Sequence, residues 1–423
     1  MRPLLVLILC SIFPSSVCGA PVSDLQAVIE SALHHDPRLA AARARIEHSR
    51  AGLLRAGAGK RPEVALLAST GKARYNADGY ITPDRSPEAL VLTVDQSLYD
   101  FGRTAASTGA AAERVDAAQA ARQATVVAVI LGAAKAALHL DLAHKRLATE
   151  RENVQVLRQQ LAYTRTKRRH GDFTATDVAQ ARSRYAAAMA QRRAAQATLS
   201  RAKARLQRFT GVPMDVRLER LPDIPAPASL AAALKKAESQ PALHARRDEL
   251  DAAYAEVRRA QVEYHPSLDL VTTVGTDRGT RFSNERTDYW SAQVRLSIPL
   301  YARGTRRADV AGAQARVDDS AARLTKTRRE LTQRVRDAWA AMDADDDELK
   351  AAREQRRAAY IALQGVQSEL TAGTRTVVDL LNAQQELRNA NLAVLGARYR
   401  RAIGGLRMLA ATGELKLFAS GPY

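Results

Sequence analysis

Trp290-Ser291-Ala292-Gln293-Val294-Arg295-Leu296-Ser297-Ile298-Pro299-Leu300-Tyr301 alternates apolar with polar side chains along its length. Trp290, Ala292, Val294, Leu296, Ile298 and Leu300 fall on one face, and Ser291, Gln293, Arg295 and Ser297 on the other. A period of two is the signature of a half-buried β-strand, so residues 288–301 are expected to be one. Leu90, Leu92, Val94 and Leu98 repeat the pattern in an earlier segment, with Thr93, Asp95 and Ser97 opposite. That segment predicts a strand over 88–99. Two further strands, 62–75 and 266–277, precede these, and polar stretches bearing Gly, Pro, Asp and Asn join the members of each pair.

The two strand pairs are one unit written twice. Pro37 matches Pro241, Pro62 matches Pro266 and Gly71 matches Gly275, each 204 residues apart. After a slip of two, Tyr99/Tyr301, Gly102/Gly304, Gly171/Gly373, Asp177/Asp379 and Thr210-Gly211/Thr412-Gly413 follow at 202. An ordered series at near-constant offset marks a duplication. The first repeat takes 21–220, with a long helix at 102–170 and a return helix at 174–211. The second takes 229–423, with helices at 304–372 and 376–412. The proline-rich stretch 221–228 links them.

The helices are long. Gly102 to Gly171 and Gly304 to Gly373 are each 69 residues, which at 1.5 Å per residue reaches about 100 Å. Leu140, Leu147, Val154 and Leu161 keep heptad spacing, as do Val310, Val317, Leu324 and Leu331. The second series then jumps by four to Val335, Met342 and Leu349, a stutter that coiled coils tolerate. Such helices pack as antiparallel coiled coils.

Met1–Ala20 has the form of a secretory signal: Arg2, an apolar run from Leu4 to Phe13, then small residues, with cleavage after Gly19 or Ala20. Both cysteines, Cys10 and Cys18, lie within it, so disulfide frameworks and cysteine zinc sites are excluded for the exported chain. The 64 basic and 45 acidic residues leave a net charge of +19. Charge alone would admit nucleic acid as a partner, but export and the lack of an aromatic-basic patch argue against it. No later stretch reads as a membrane helix, so any membrane crossing must use strands.

Four strands cannot close a membrane barrel, since about eight are needed. Copies must share strands: two give eight, three give twelve. The segment Gly373-Thr374-Arg375-Thr376-Val377-Val378-Asp379-Leu380-Leu381-Asn382-Ala383, with the junctions Leu98-Tyr99-Asp100-Phe101-Gly102 and Ile298-Pro299-Leu300-Tyr301-Ala302-Arg303-Gly304, resembles the TolC family of outer-membrane channel proteins. The resemblance covers essentially all the exported chain. It implies a mainly α fold with a membrane β portion: a homotrimer with a twelve-strand β-barrel, four strands per chain, continued by a twelve-helix coiled-coil α-barrel. It further implies an exit duct in the outer membrane of a Gram-negative bacterium, reaching into the periplasm and surrounded by outer-membrane lipid. An adaptor and an inner-membrane ABC or RND-type pump would be its partners, in type I secretion or small-molecule efflux. A periplasmic coiled-coil adaptor or scaffold without a pore is the alternative, disfavoured by two hairpins that each follow two amphipathic strands.

The resemblance also assigns a tip. Asp379 falls where the family places a carboxylate ring at the pore constriction, and like charges on a narrow axis should raise one another's pKa. Asn382 stands at the family's second carboxylate, and Leu370 replaces a tyrosine tie. Arg375 matches a basic residue that links the inner helix pair to the neighbouring turn, with Thr176 and Asp177 as expected partners. Gly171 and Gly373 sit where adaptor hairpins would pack. Each of these residues also has a plainer role. Asp177 and Asp379 can stabilise a helix N-terminus, the glycines form turns, and Tyr99 and Tyr301 are interfacial anchors. For Asp177 the two roles stand level. The acidic run Asp343, Asp345, Asp346, Asp347 and Glu348 lacks the glycine of a calcium loop and lies in a helix. The histidines, His34 and His35 included, lack metal-ligand spacing, and no catalytic motif occurs. Nothing points to an enzyme or a cofactor.

Overall fold

The computed structural model describes residues 23–74, 76–77, 80–81, 86–279 and 285–415. The signal segment 1–20 lies outside them. Among these residues eight α-helices, one short 3-10 helix (Ala58–Lys60) and six strands follow one another. α1 (Leu25–His35) and α2 (Pro37–Gly57) lead to β1 (Glu63–Thr70). The short strands β2 (Asn76–Ala77) and β3 (Tyr80–Ile81) pair with each other, and β4 (Glu88–Tyr99) leads into α3 (Arg103–Arg169) and α4 (Ala175–Thr210). The second repeat runs α5 (Leu230–Ala237), α6 (Pro241–Val262), β5 (Ser267–Arg278), β6 (Arg286–Ser297), α7 (Thr305–Thr371) and α8 (Val377–Thr412).

Two strands differ from their expected spans. β1 stops at Thr70, which pairs with Glu88, the first residue of β4, so the ladder with β4 ends there; past it the Gly71 amide donates to the Pro87 carbonyl at 3.1 Å. β6 stops at Ser297, two residues before Pro299, because proline has no N–H for the ladder. Ile298 and Leu300 keep the apolar alternation without the hydrogen bonds. The opening helix of each repeat is two helices. Asp36 and Gln240 cap the second of each pair, accepting from the amides of Arg38 and Ala242 at 2.9 and 2.6 Å, and proline takes the first helical position. Proline needs no donor there, so Asp36-Pro37 and Gln240-Pro241 break the helix at equivalent places.

The four main strands form one antiparallel sheet in the order β1-β4-β5-β6. Helices abut in the same sequence: α2 on α3, α3 on α6, and α6 on α7. Each strand therefore continues, end on, into its own helix. Further from the sheet, α4 and α8 replace α2 and α6 in the wall, giving the order α4-α3-α8-α7. Both passages from strand to helix use two successive left-handed residues, Phe101-Gly102 (φ 51° and 91°) and Arg303-Gly304 (φ 51° and 82°). In the first repeat Asp100 also accepts from the amides of Gly102 and Thr104 at 3.1 and 2.7 Å.

The heptad positions Leu140, Leu147, Val154 and Leu161 are all buried, as are Val317, Leu331, Val335 and Leu349 on either side of the stutter. α3 holds one 18-residue window apolar enough to pass for a membrane span, yet 67% of it is buried inside the protein. There Val129, Ile130, Ala133 and Ala137 pack under α1 and the segment holding Val216 and Leu218, so the window is core. α5 closes a second cluster over Leu331 and Val335 of α7 and Met408 of α8.

Candidate functional site

Two regions carry the functional features: one face of the sheet, and the tip where the helix pairs turn. The strand register decides the first. Leu66 pairs with Leu92, Leu92 with Val274, and Val274 with Trp290. Paired residues project to the same side. Val64-Val94-Thr272-Ala292 is the next such row. Beyond it, Leu270-Val294 and Leu268-Leu296 extend the apolar face. Its largest side chains are well exposed, Trp290 being 77% and Val294 63% exposed, while Val94, Leu268 and Leu270 are half-buried. The opposite face carries Thr93, Asp95, Thr273, Ser291, Gln293 and the cross-strand pair Asp269/Arg295. One face thus suits lipid and the other water. β1 and β6, at the two ends of the sheet, each have a single partner.

At the tip, Gly171 and Gly373 adopt φ of 85° and 79°, a left-handed turn that a Cβ would strain. α4 and α8 then start with identical caps. The Thr174 hydroxyl and amide donate to Asp177 at 2.7 and 2.8 Å, and the Asp177 amide returns a bond to Thr174 at 3.2 Å. Thr376 and Asp379 repeat this at 2.8, 3.0 and 3.3 Å. These are capping boxes, legible as Thr-x-x-Asp before a helical run, although Thr174 and Thr376 were not singled out from the sequence. Thr376→Ala should remove about 1 kcal/mol of cap stabilisation, seen as faster hydrogen exchange confined to the first turn of α8.

Asp379 is partly exposed, and bonds from the Thr376 hydroxyl and amide, then the charge of Arg375, hold its carboxyl below the usual range. Within one chain the direction is opposite to that expected from a ring of like charges. Arg375 does not reach Thr176 or Asp177 in the same chain. Its Nε donates to Glu369 at 2.7 Å, because the tight turn folds it back on the end of α7. Both partners of that pair are about half exposed, 50% and 48%; such pairs contribute only about 0–1 kcal/mol, so Arg375 is easily exchanged to another acceptor. Asn382 lies three residues, just under one turn, beyond Asp379 in α8. Its Oδ1 accepts from Arg184 of α4 at 2.9 Å, and below it Val377 and Leu381 pack on Leu157, Leu161 and Ala181. The start of α8 is therefore fastened to the α3–α4 hairpin of its own chain.

The remaining links between the repeats lie higher in the wall. Arg388 of α8 donates to Glu150 of α3 through both Nε and Nη2, at 3.1 and 2.6 Å. Tyr399 donates to the buried Asp141, which Lys145 also pairs at 3.0 Å. Burial and that carboxylate push the Tyr399 hydroxyl far above the usual phenol range. Three of the acidic run on α7 are paired: Asp346 with Arg401, Glu348 with Arg400, and Asp347 with Lys350.

A sheet with one lipid-ready and one wettable face, continued strand by strand into a wall of very long helices, defines an outer-membrane channel protein with a helical extension. The chain belongs to the family described as outer membrane efflux protein (OEP), which matches residues 28–212 and 235–414. It is 25% identical over 367 residues to the outer membrane efflux protein BepC of Brucella suis biovar 1, covering 84% of this chain and 77% of BepC. It is 27% identical over 377 residues to the outer membrane protein TolC of Escherichia coli K12, covering 84% and 75%. A solved structure of a membrane protein from Pseudomonas aeruginosa has the same fold, with a TM-score of 0.81 at 23% identity over 93% of this chain and 91% of that one. The protein is an export channel of the Gram-negative outer membrane that extends into the periplasm.

Proposed function

We propose that three copies form a passive, gated duct, a twelve-strand barrel in outer-membrane lipid on a twelve-helix tunnel. The observation that carries this is the pair of open edges, β1 and β6, on a sheet whose strands each continue into a wall helix. Joining β6 of one copy to β1 of the next closes barrel and tunnel together. Four strands per chain meet the requirement of about eight or more only by such sharing, and twelve is the number the resemblance to TolC implies.

The tip is the gate in this proposal. Asp379 of each copy meets its equivalents at the constriction, next to Asn382. Arg375, held by Glu369 within its own chain, exchanges to Thr176 or Asp177 of a neighbouring copy to lock the closed state. An adaptor docks on the turns at Gly171 and Gly373 and hands over from an inner-membrane ABC or RND-type pump. Transport energy comes from that pump, and the duct does no chemistry.

Single-channel recording of the purified protein in a planar bilayer tests the gate. The expected result is a small cation-preferring conductance at the tip, with the preference lost in Asp379→Ala. Within one chain the capping bonds hold the Asp379 carboxyl low, whereas three carboxylates meeting on the axis raise one another. Loss of cation preference above the ordinary carboxylate value of about 4 as pH falls would mark a ring, and loss only below it would mark three separate capped carboxylates. A conductance indifferent to Asp379→Ala would move the constriction elsewhere. Protein that needs no detergent and forms no channel would overturn the duct.

A further inference from the structure

The wall formed by α3, α8 and α7 has two unlike faces. One is covered: α1 packs on α3, α5 packs on α7 and α8, and the connection between the repeats crosses both long helices. Asp215 of that connection accepts from His144 of α3 at 2.7 Å, and Ile224 lies against Gly405 of α8. The other face has no covering segment among the described residues, and its Lys135 and His139 are half-buried. Lys135 is nine residues from His144, two and a half turns, and so points away from the covering segment. Arg407, two residues beyond Gly405, points the same way on α8.

On this uncovered face Lys135, His139 and Arg146 follow one stripe of α3, at steps of four and seven. Arg400 and Arg407 follow the facing stripe of α8, and Arg205 of α4 lies within their field. Arg400 is taken by Glu348. Among the described residues Lys135, Arg146, Arg205 and Arg407 have no salt-bridge partner. Asp345 of α7 faces Arg400 and Arg407, but burial raises its pKa. Burial and then the charges of Arg407 and Arg205 lower the Lys135 pKa, and burial followed by four neighbouring cations lowers that of His139. The cluster is an excess of positive charge in which each cation disfavours the next.

The same stripe of α3 continues toward the sheet as Ala124, Ala128 and Leu131. With Leu331 and Ala338 of α7 and Ala410 of α8 these line a slot of about 450 Å³ whose charged lining is Arg334, Asp337 and Arg407, and Arg334 is already paired with Glu330. That volume is in the range of small-molecule pockets, ~300–1,000 Å³. An apolar slot opening on unpaired cations is complementary to a molecule with an apolar tail and an acidic head. Leu131 is 28 residues into α3, about 40 Å from the sheet at 1.5 Å per residue. Bilayer lipid cannot reach that depth, so the occupant arrives through water.

We propose that this groove is a binding site for amphiphilic anions, with the tail between α3 and α7 and the acid group at Lys135 and Arg407. In the closed tube proposed above, the covered face lies outside and the uncovered face lines the duct. The groove would then be a station on the export path at which negatively charged amphiphiles concentrate. This placement rests on the duct; binding itself does not.

The test is titration calorimetry with octanesulfonate on the full protein in nanodiscs of zwitterionic lipid, with empty nanodiscs as the blank. It needs no conducting pore, so failure of the duct and failure of the site are separable. Octanesulfonate should bind at one site per chain. Lys135→Gln/Arg407→Gln should weaken it at least tenfold, and Ala128→Leu, which narrows the slot without touching a charge, should weaken it severalfold. Methanesulfonate and octyltrimethylammonium should each bind at least tenfold more weakly than octanesulfonate. Equal binding of octyltrimethylammonium, equal binding of methanesulfonate, or unchanged affinity in the double variant would each overturn the proposal, as would no binding to the wild-type protein.

Discussion

Arg388→Ala is expected to destabilise the folded chain by about 3–5 kcal/mol, the cost of leaving one charge of a buried pair without its partner. The side chains of Arg388 and Glu150 are only 13% and 7% exposed, and two hydrogen bonds join them. Without Arg388, the Glu150 carboxylate stays in the wall with neither water nor a cation. Glu150→Leu/Arg388→Leu should recover most of the loss, since apolar replacement of both partners is often neutral or better. Denaturant midpoints of the detergent-solubilised variants measure this. A fall in the single variant of less than about 1 kcal/mol, the range of exposed pairs, would show that water reaches the pair. Arg375→Ala is the internal contrast: its pair with Glu369 is half exposed, so stability should barely change while the gate responds.

That pair also shows where sequence reading stops. The strands and long helices were legible because their signals are periodic. Residues 290–297 alternate without a break, and the heptad leucines and valine of α3, with Val317, Leu331, Val335 and Leu349 of α7, are buried where the spacing puts them. The duplication then supplied each element twice. Strand ends were less legible, because β1 is cut by the start of its partner and β6 by a proline two residues on. The helix breaks at Asp36-Pro37 and Gln240-Pro241 were legible in principle, as an N-cap before proline at the first helical position. The links between the repeats left no local trace. Arg388 and Glu150 are 238 residues apart, as far from any sequence pattern as Tyr399 and Asp141, and an arginine in an arginine-rich helix looks like a solvated charge. At the tip the motif led to Asp379 and Asn382 as neighbours. Three residues on a helix are 300° of rotation, 60° short of a full turn, so the two do share a face; what the motif did not show is that the Asn382 amide is taken by Arg184 while Asp379 is bound to its cap.

The lipid face of the sheet makes the second large prediction, one that tests the register itself. Leu92 and Thr93 are adjacent in β4, but Leu92 lies in the row Leu66-Leu92-Val274-Trp290 and Thr93 on the opposite face, between Ala65 and Thr273. Leu92→Arg should cost about 2–4 kcal/mol, the penalty for arginine facing the middle of a bilayer. Thr93→Arg puts the same charge on the wettable face, where it should be tolerated. The expected outcome is loss of outer-membrane protein for Leu92→Arg, with near wild-type amounts of heat-resistant, detergent-extractable protein for Thr93→Arg. The contrast should repeat at Val274→Arg against Thr273→Arg, because the register carries the alternation from β4 to β5 unchanged. A one-residue slip in pairing would move every side chain to the other face, so the opposite result at both sites would mean that the sheet is inside out relative to the membrane. Equal tolerance at both sites would mean that this face never meets lipid, and would remove the physical basis for closing three sheets into a membrane barrel.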